Sequence, residues 1–206
     1  MQVKNITVIS AFTATLMSSL CIAEQGFYLG ANIGTAEVDY SLSDAADLDD
    51  GGNFSNVDID DSDTTFGLNA GYRVNPYFAV EVGYQDFGEY SISANSDGSG
   101  FFWFPGPVEA TAEVTGIMLG VKGIFPVQEN FEVYGKAGMN RWDADYDYTD
   151  TCCTVSESDD GTDAYFGIGA TYILNKVGLS AGYTRFDVAD TDLDVFALSV
   201  EVNLAQ

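Results

Sequence analysis

The stretch FGLNAGYRVNPYFAVEVGYQDF, residues 66 to 87, alternates so strictly that it fixes what lies on each side of the chain. In its first run Phe66, Leu68, Ala70 and Tyr72 share one face, against Gly67, Asn69, Gly71 and Arg73 on the other. In its second, Phe78, Val80, Val82 and Tyr84 oppose Ala79, Glu81, Gly83 and Gln85. A period of two means strands, and the tight link through Asn75-Pro76 makes them an antiparallel hairpin. One face is apolar and ends in aromatics, while the other mixes glycine with Asn, Arg, Glu and Gln. A soluble barrel turns its apolar face inward; here the small and charged residues suit a narrow interior, and the aliphatic face suits lipid.

The pattern recurs along the chain. The expected staves are 26–34, the two arms of the hairpin, 115–125, 131–140, 165–172, 177–184 and 195–204. None of their outward residues is charged. Twelve glycines (Gly30, Gly34, Gly67, Gly71, Gly83, Gly116, Gly120, Gly138, Gly167, Gly169, Gly178 and Gly182) fall on the inward face. Eight segments of membrane-spanning strand length, joined by short turns that alternate with long loops, describe an all-β protein, an eight-stranded antiparallel transmembrane β-barrel. Lipid permits strands only in a closed sheet, because an open edge leaves backbone polar groups unpaired in hydrocarbon. The short turns belong on the periplasmic side and the long loops outside the cell.

Residues 1–23 read as a secretory signal peptide. Lys4 supplies the positive start, Ile6 to Leu20 the apolar run, and Cys21-Ile22-Ala23 the cleavage site. Cys21 is a poor lipoprotein cysteine, because Leu20 stands where a small residue is needed. The mature chain is expected to span 24–206 as one barrel domain exported to the bacterial outer membrane.

Charge is segregated. The sequence carries 32 Asp and Glu against seven Lys and Arg, a formal net charge of −25. Segments 36–63, 86–113, 143–163 and 187–194 hold ten, five, eight and four of those carboxylates. Such a surface repels nucleic acid and anionic polymers. The expected partners are outer-membrane lipid and lipopolysaccharide, divalent cations at the acidic loops, and an unidentified extracellular partner, with the protein a monomer.

The runs GYRVNPYFAVEVGYQDFG, LGVKGIFP and FEVYGKAGMNRWDAD, with the final alternating strand, resemble the transmembrane domain of the outer membrane protein A family across essentially the whole mature chain. Larger family members continue into a periplasmic peptidoglycan-binding domain, whereas this sequence ends at Gln206. The last strand also closes on Leu204 where the family tends to place an aromatic. The resemblance implies that Glu81, Lys122 and Lys136 occupy positions of a luminal ion-pair network, and that Ser180 and Thr171 stand where the family has a basic and an acidic residue. Glu81, Lys122 and Lys136, together with Arg73 and Glu201, are the inward charges. They are read either as a self-neutralising structural plug or as a gate on a narrow ion path.

Three loop features carry chemistry. Asp47, Asp49 and Asp50, before Gly51, are the weak metal candidates; they lack the spacing and closing Glu of a calcium loop and read as solvated acid. Phe101, Phe102, Trp103 and Phe104 form an apolar cluster on a polar loop. They are expected to fold back on the barrel, to dip into the outer leaflet or to form a contact site. Cys152 and Cys153 are adjacent in an exported protein; their Cα spacing of about 3.8 Å is short of the usual disulfide range, leaving an internal bond, an external bridge and a redox site all open. There is no His, so no His-based triad or metal site. No enzyme activity and no cofactor are expected. Two roles remain open: a structural and surface-interaction role, adhesin-like or supporting envelope integrity, through long acidic extracellular loops, and a narrow channel for ions or small apolar solutes.

Overall fold

The computed structural model describes residues 25–38, 52–189 and 191–204. The signal segment 1–23 and the candidates Asp47, Asp49 and Asp50 lie outside the described residues. Nine strands follow in order: β1 (Gly26–Val38), β2 (Phe54–Asp60), β3 (Ser62–Asn75), β4 (Phe78–Ser96), β5 (Gly106–Gln128), β6 (Phe131–Thr149), β7 (Thr154–Leu174), β8 (Val177–Val188) and β9 (Thr191–Asn203). All pairings are antiparallel. β1 pairs with both β3 and β9, and the ring closes where β4 meets β5. β2 pairs with the far end of β4 and leads into β3 across Asp61, so β2 and β3 form one interrupted stave. The barrel therefore has eight staves. Every ladder within the lipid zone has a partner on both sides, as hydrocarbon demands.

The short connections are built by local chemistry. Asn75 Oδ1 accepts from Tyr77 N at 2.8 Å, a side-chain turn that sets Pro76 outside the ladder. Asn175 takes a left-handed backbone, φ 57°, between β7 and β8.

The alternation keeps the expected faces. Leu68, Val82, Ile117, Leu119, Phe166, Ile168 and Leu198 are exposed on the outer wall. Inward glycines permit close packing: a β-carbon on Gly138 would collide with the Leu119 carbonyl and the Tyr165 ring, whereas at outward Gly123 and Gly135 the nearest atom is 3.8 Å away. Phe27 and Tyr72, with ring centroids 4.8 Å apart, belong to the lower aromatic girdle, and Tyr183 and Phe196, 5.0 Å apart, to the upper.

The long loops are shorter than the sequence reading assigned. β4 and β5 remain paired from Phe78–Gly123 out to Ser96–Gly106, and β6 and β7 as far as Thr149–Thr154, so 86–96, 106–113 and 143–149 are strand. The reason is that the period of two continues past the membrane with its faces exchanged. Above Asp86, the residues Tyr90, Ala94, Val108, Val114, Trp142 and Ala144 point inward and are buried, while Glu89, Glu113, Asp143 and Asp145 point out. Water outside the wall now favours acid there, and apolar side chains move to the interior.

Two apolar clusters result. Phe87, Phe186, Tyr165, Trp142, Leu193 and Val195 fill the upper lumen, with Phe87 edge-on to Phe186 at 4.8 Å and Tyr165 stacked on Phe186 at 5.3 Å. Farther out, Ala94, Trp103 and Val108 pack with Phe54, Ile92, Ala110 and Tyr148 on the extension formed by β2, β4, β5 and β6.

Val82 is half exposed on the outer wall, in a row with Ala70 and Leu119. Val82→Arg should lower unfolding free energy by about 2–4 kcal/mol in lipid vesicles if this row sits near the bilayer midplane. A urea titration showing no loss would place Val82 outside the hydrocarbon.

Candidate functional site: the closed lumen and the extracellular apex

Alternation places the inward charges on facing staves, and the register decides which of them meet. Lys122 Nζ lies 2.6 Å from Glu201 Oε1 and 3.5 Å from Glu81 Oε1, with the Tyr134 ring centroid 4.5 Å away. The Tyr28 hydroxyl donates to Glu81 at 2.5 Å. One ammonium thus bridges two carboxylates inside a cage of tyrosines, the arrangement a desolvated charge requires. Lys136 stands apart, with Nζ 5.9 Å from the Tyr165 ring centroid. It lines a luminal cavity of about 50 Å3 together with Asn32, Asn69, Gln85 and Ser199. Glu81, Glu201, Lys122 and Lys136 sum to zero charge. At roughly 10–15 Å3 per water, the cavity has room for a few waters.

Arg73 is not part of this group. Its Nη2 lies 2.6 Å from Glu132 Oε1 and donates to the Pro76 carbonyl at 2.9 Å, at the periplasmic mouth. Glu132 went unremarked in the sequence reading, although its parity with Tyr134 and Lys136 in FEVYGK places it on the inward face. On the other side of the cavity, Gln85 Nε2 donates to Thr65 Oγ1 at 2.5 Å and to Asn32 Oδ1 at 3.2 Å. Above that lies the aromatic plug of Phe87 and Phe186. From the periplasm outward the lumen is thus ion pair, charge cluster, amide layer and apolar plug.

At the far end, the loop 97–105 is held by its neighbours. Asp97 accepts from the Ser99 hydroxyl at 2.5 Å and from Asn53 Nδ2 at 2.9 Å. Asp150 Oδ1 accepts from the amides of Cys152 and Cys153 at 2.8 and 3.0 Å, and its Oδ2 from the Phe104 amide at 3.2 Å. These donors, Ser99 and then Asn53 for Asp97 and foremost the Cys152 amide for Asp150, hold both carboxyls below the usual carboxylate range. Cys152 and Cys153 are joined to each other as a disulfide. Their sulfurs and the Asp150 oxygens are therefore already engaged, although the three side chains lie close enough together to suggest a metal site. Trp103 turns back and is 6 % exposed, whereas Phe101 is fully exposed and Phe102 and Phe104 are each about half exposed. Of the aromatic cluster, Trp103 folds back and is buried, and the half-exposed Phe102 leans edge-on against Trp103 and Tyr148.

The model of the OmpA-like transmembrane domain matches residues 22–193. The chain belongs to this family. Outer membrane protein A of Klebsiella pneumoniae is 27 % identical over 112 residues, covering 53 % of this chain and 29 % of that protein. Outer membrane protein P5 of Haemophilus influenzae is 24 % identical over 176 residues, 81 % of this chain and 46 % of that protein. The chain thus spans less than half the length of these curated relatives. Among solved structures, Neisserial surface protein A superposes with a TM-score of 0.57 at 17 % identity, covering 87 % of this chain and 97 % of that one. Pseudomonas aeruginosa OprG gives 0.53 at 15 % identity, covering 90 % and 100 %. Both support the eight-stranded fold. This member of the OmpA-like transmembrane family is therefore an outer-membrane β-barrel of a bacterium.

Where the family resemblance led us to expect an acid and a base on the sixth and seventh staves, this barrel has Thr171 and Ser180. Their hydroxyls are 2.9 Å apart across the β7–β8 ladder, buried and neutral. Among the described residues, Lys122 is the cation within ion-pair distance of both Glu81 and Glu201. Lys122→Met leaves two carboxylates facing each other in the lumen and should cost about 3–5 kcal/mol, scaled down by the partial exposure of Glu201 to the polar cavity. Adding Glu201→Gln should recover part of that loss. An unchanged urea midpoint in Lys122→Met would show that the cluster does not stabilise the barrel.

The depressed carboxyls at the apex give a sign to its pH dependence. A carboxyl whose folded pKa is lowered contributes stability above its unfolded value, near 4, and loses it as pH falls through the folded value. In a Trp142→Phe background, Trp103 fluorescence should stay native from neutral pH down to about 4 and shift only below that. Asp150→Asn should loosen Trp103 already at neutral pH. A transition centred at pH 6 would exclude these carboxyls as its cause.

Proposed function

We propose that the mature domain, residues 24–206 after loss of a signal peptide, is a closed monomeric barrel that acts at the cell surface through its extracellular extension rather than by conducting solute. The observation that carries this reading is the layered lumen, and above all the plug of Phe87, Phe186, Tyr165 and Trp142. Aromatic packing of this density has no room for a hydrated ion. The luminal charges Arg73, Glu81, Lys122, Lys136, Glu132 and Glu201 serve stability: they neutralise one another and tie β3, β4, β5, β6 and β9 across the interior. In the membrane the partners are lipid and lipopolysaccharide, met by the aliphatic wall and the two girdles.

The competing reading is a narrow channel, and the polar cavity around Lys136 is the feature in its favour. Planar-bilayer recording of the refolded protein, with insertion checked independently, separates the two. Silence is expected from the wild type. Steady single-channel steps that change with Lys122→Met would overturn the surface reading in favour of conduction.

A further inference from the structure

The apex of the extension combines two features that a solvated loop does not need. Phe101, Phe102 and Phe104 are displayed to solvent, while Trp103 between them is buried. The display is held in place. Trp103 packs beside Tyr148 with ring centroids 6.2 Å apart, Asp150 accepts from the Phe104 amide, and Thr151 Oγ1 donates to the Pro105 carbonyl at 3.3 Å. Exposing three phenylalanines on a fixed scaffold costs solvation energy, and such patches mark contacts. A preformed aromatic anchor also lowers the ordering cost of binding. About 12 residues of strand, roughly 40 Å along β4, separate the Ser96–Gly106 pair from Tyr84–Ile117, where the last outward apolar residue of β4 before Asp86 stands, and this carries the patch well clear of the bilayer.

The surroundings of this patch select the partner. Segments 86–113 and 143–163 hold 13 carboxylates and no Lys or Arg, and Arg141, just ahead of the second segment, is paired with Asp160 at 3.2 Å. Glu89, Glu113 and Asp145 stand side by side on β4, β5 and β6, and Asp143 faces Asp160. Like charges directly opposite one another are unfavourable unless something positive comes to them. A second copy of the chain or an anionic membrane would add negative charge at this end. Building on the surface reading above, we propose that the apex docks a cationic polypeptide segment bearing apolar side chains: Phe101, Phe102 and Phe104 receive its apolar face, and the exposed carboxylates of the flanking strands, Glu109 on β5, Asp147 on β6 and Glu157 on β7, its Lys and Arg.

The test uses the whole mature barrel in nanodiscs of zwitterionic lipid, with empty nanodiscs subtracted, and two short peptides of equal charge: an amphipathic one of Leu and Lys, and one of Ser and Lys. The Leu/Lys peptide should bind the wild type more tightly, with affinity falling as salt rises. The F101A/F102A/F104A variant, which leaves Trp103 in place, should weaken binding roughly tenfold or more. The E109Q/D147N/E157Q variant should weaken it and flatten its salt dependence. Equal binding of the two peptides, or no effect of the Phe variant, would overturn the proposal. So would attachment of the peptide-free wild type to zwitterionic vesicles, or its self-association, if the Phe variant abolished either. A barrel that is silent in bilayers yet fails to bind the Leu/Lys peptide rejects the apex assignment and leaves the closed-barrel reading standing.

Discussion

A bilayer offers the backbone no hydrogen-bond partners, and every other feature of this molecule follows from that. An unpaired N–H or C=O in hydrocarbon costs several kcal/mol, so strands cross only as a closed ring. Here closure is made between β4 and β5 and between β1 and β9, the latter joining the two ends of the barrel sequence. With eight staves the ring is narrow, and the interior has to be filled by what the inward positions carry. Glycines let the walls approach, and Tyr28, Tyr134 and Tyr165 occupy the space those glycines leave.

The same narrowness governs the charges. An unpaired charge in so confined a space would be costly, so Lys122 sits against both Glu81 and Glu201 and Arg73 against Glu132. Charge pairing in the lower lumen and aromatic packing in the upper lumen are two solutions to one problem, the filling of a tube that cannot be left as vacuum. The polar solution retains a small wet cavity; the apolar one is dense.

Along each stave the solvent outside the wall changes from lipid to water, and the sequence changes sides with it. Below the upper girdle the aliphatic residues face out; above it Tyr90, Val114, Trp142 and Ala144 face in and the acids face out. The strands themselves are continuous through this exchange, carried across it in β4 by a bulge at Gly88, whose φ is 89°. A reading that recognises strands by their lipid-facing side therefore stops too early. Residues 86–96 and 143–149 look like acidic loop when composition is weighed, and like strand when only their period is counted.

The period of two, the charge-free outward faces, the turns at Asn75-Pro76 and Asn175-Lys176 and the inward position of Glu81, Lys122 and Glu201 were all legible in the residues, because each depends on a face of one strand and on the solvent beside it. Which of those inward groups would touch was not legible. That Arg73 meets Glu132, that Lys136 stays on the cavity wall and that Trp103 is buried while its neighbours are bare depend on stagger between staves and on contacts between segments about fifty residues apart, such as Phe104 with Asp150. Alternation determines the face each side chain occupies; only ring closure, which sets the height of every stave against its neighbours, decides its partner.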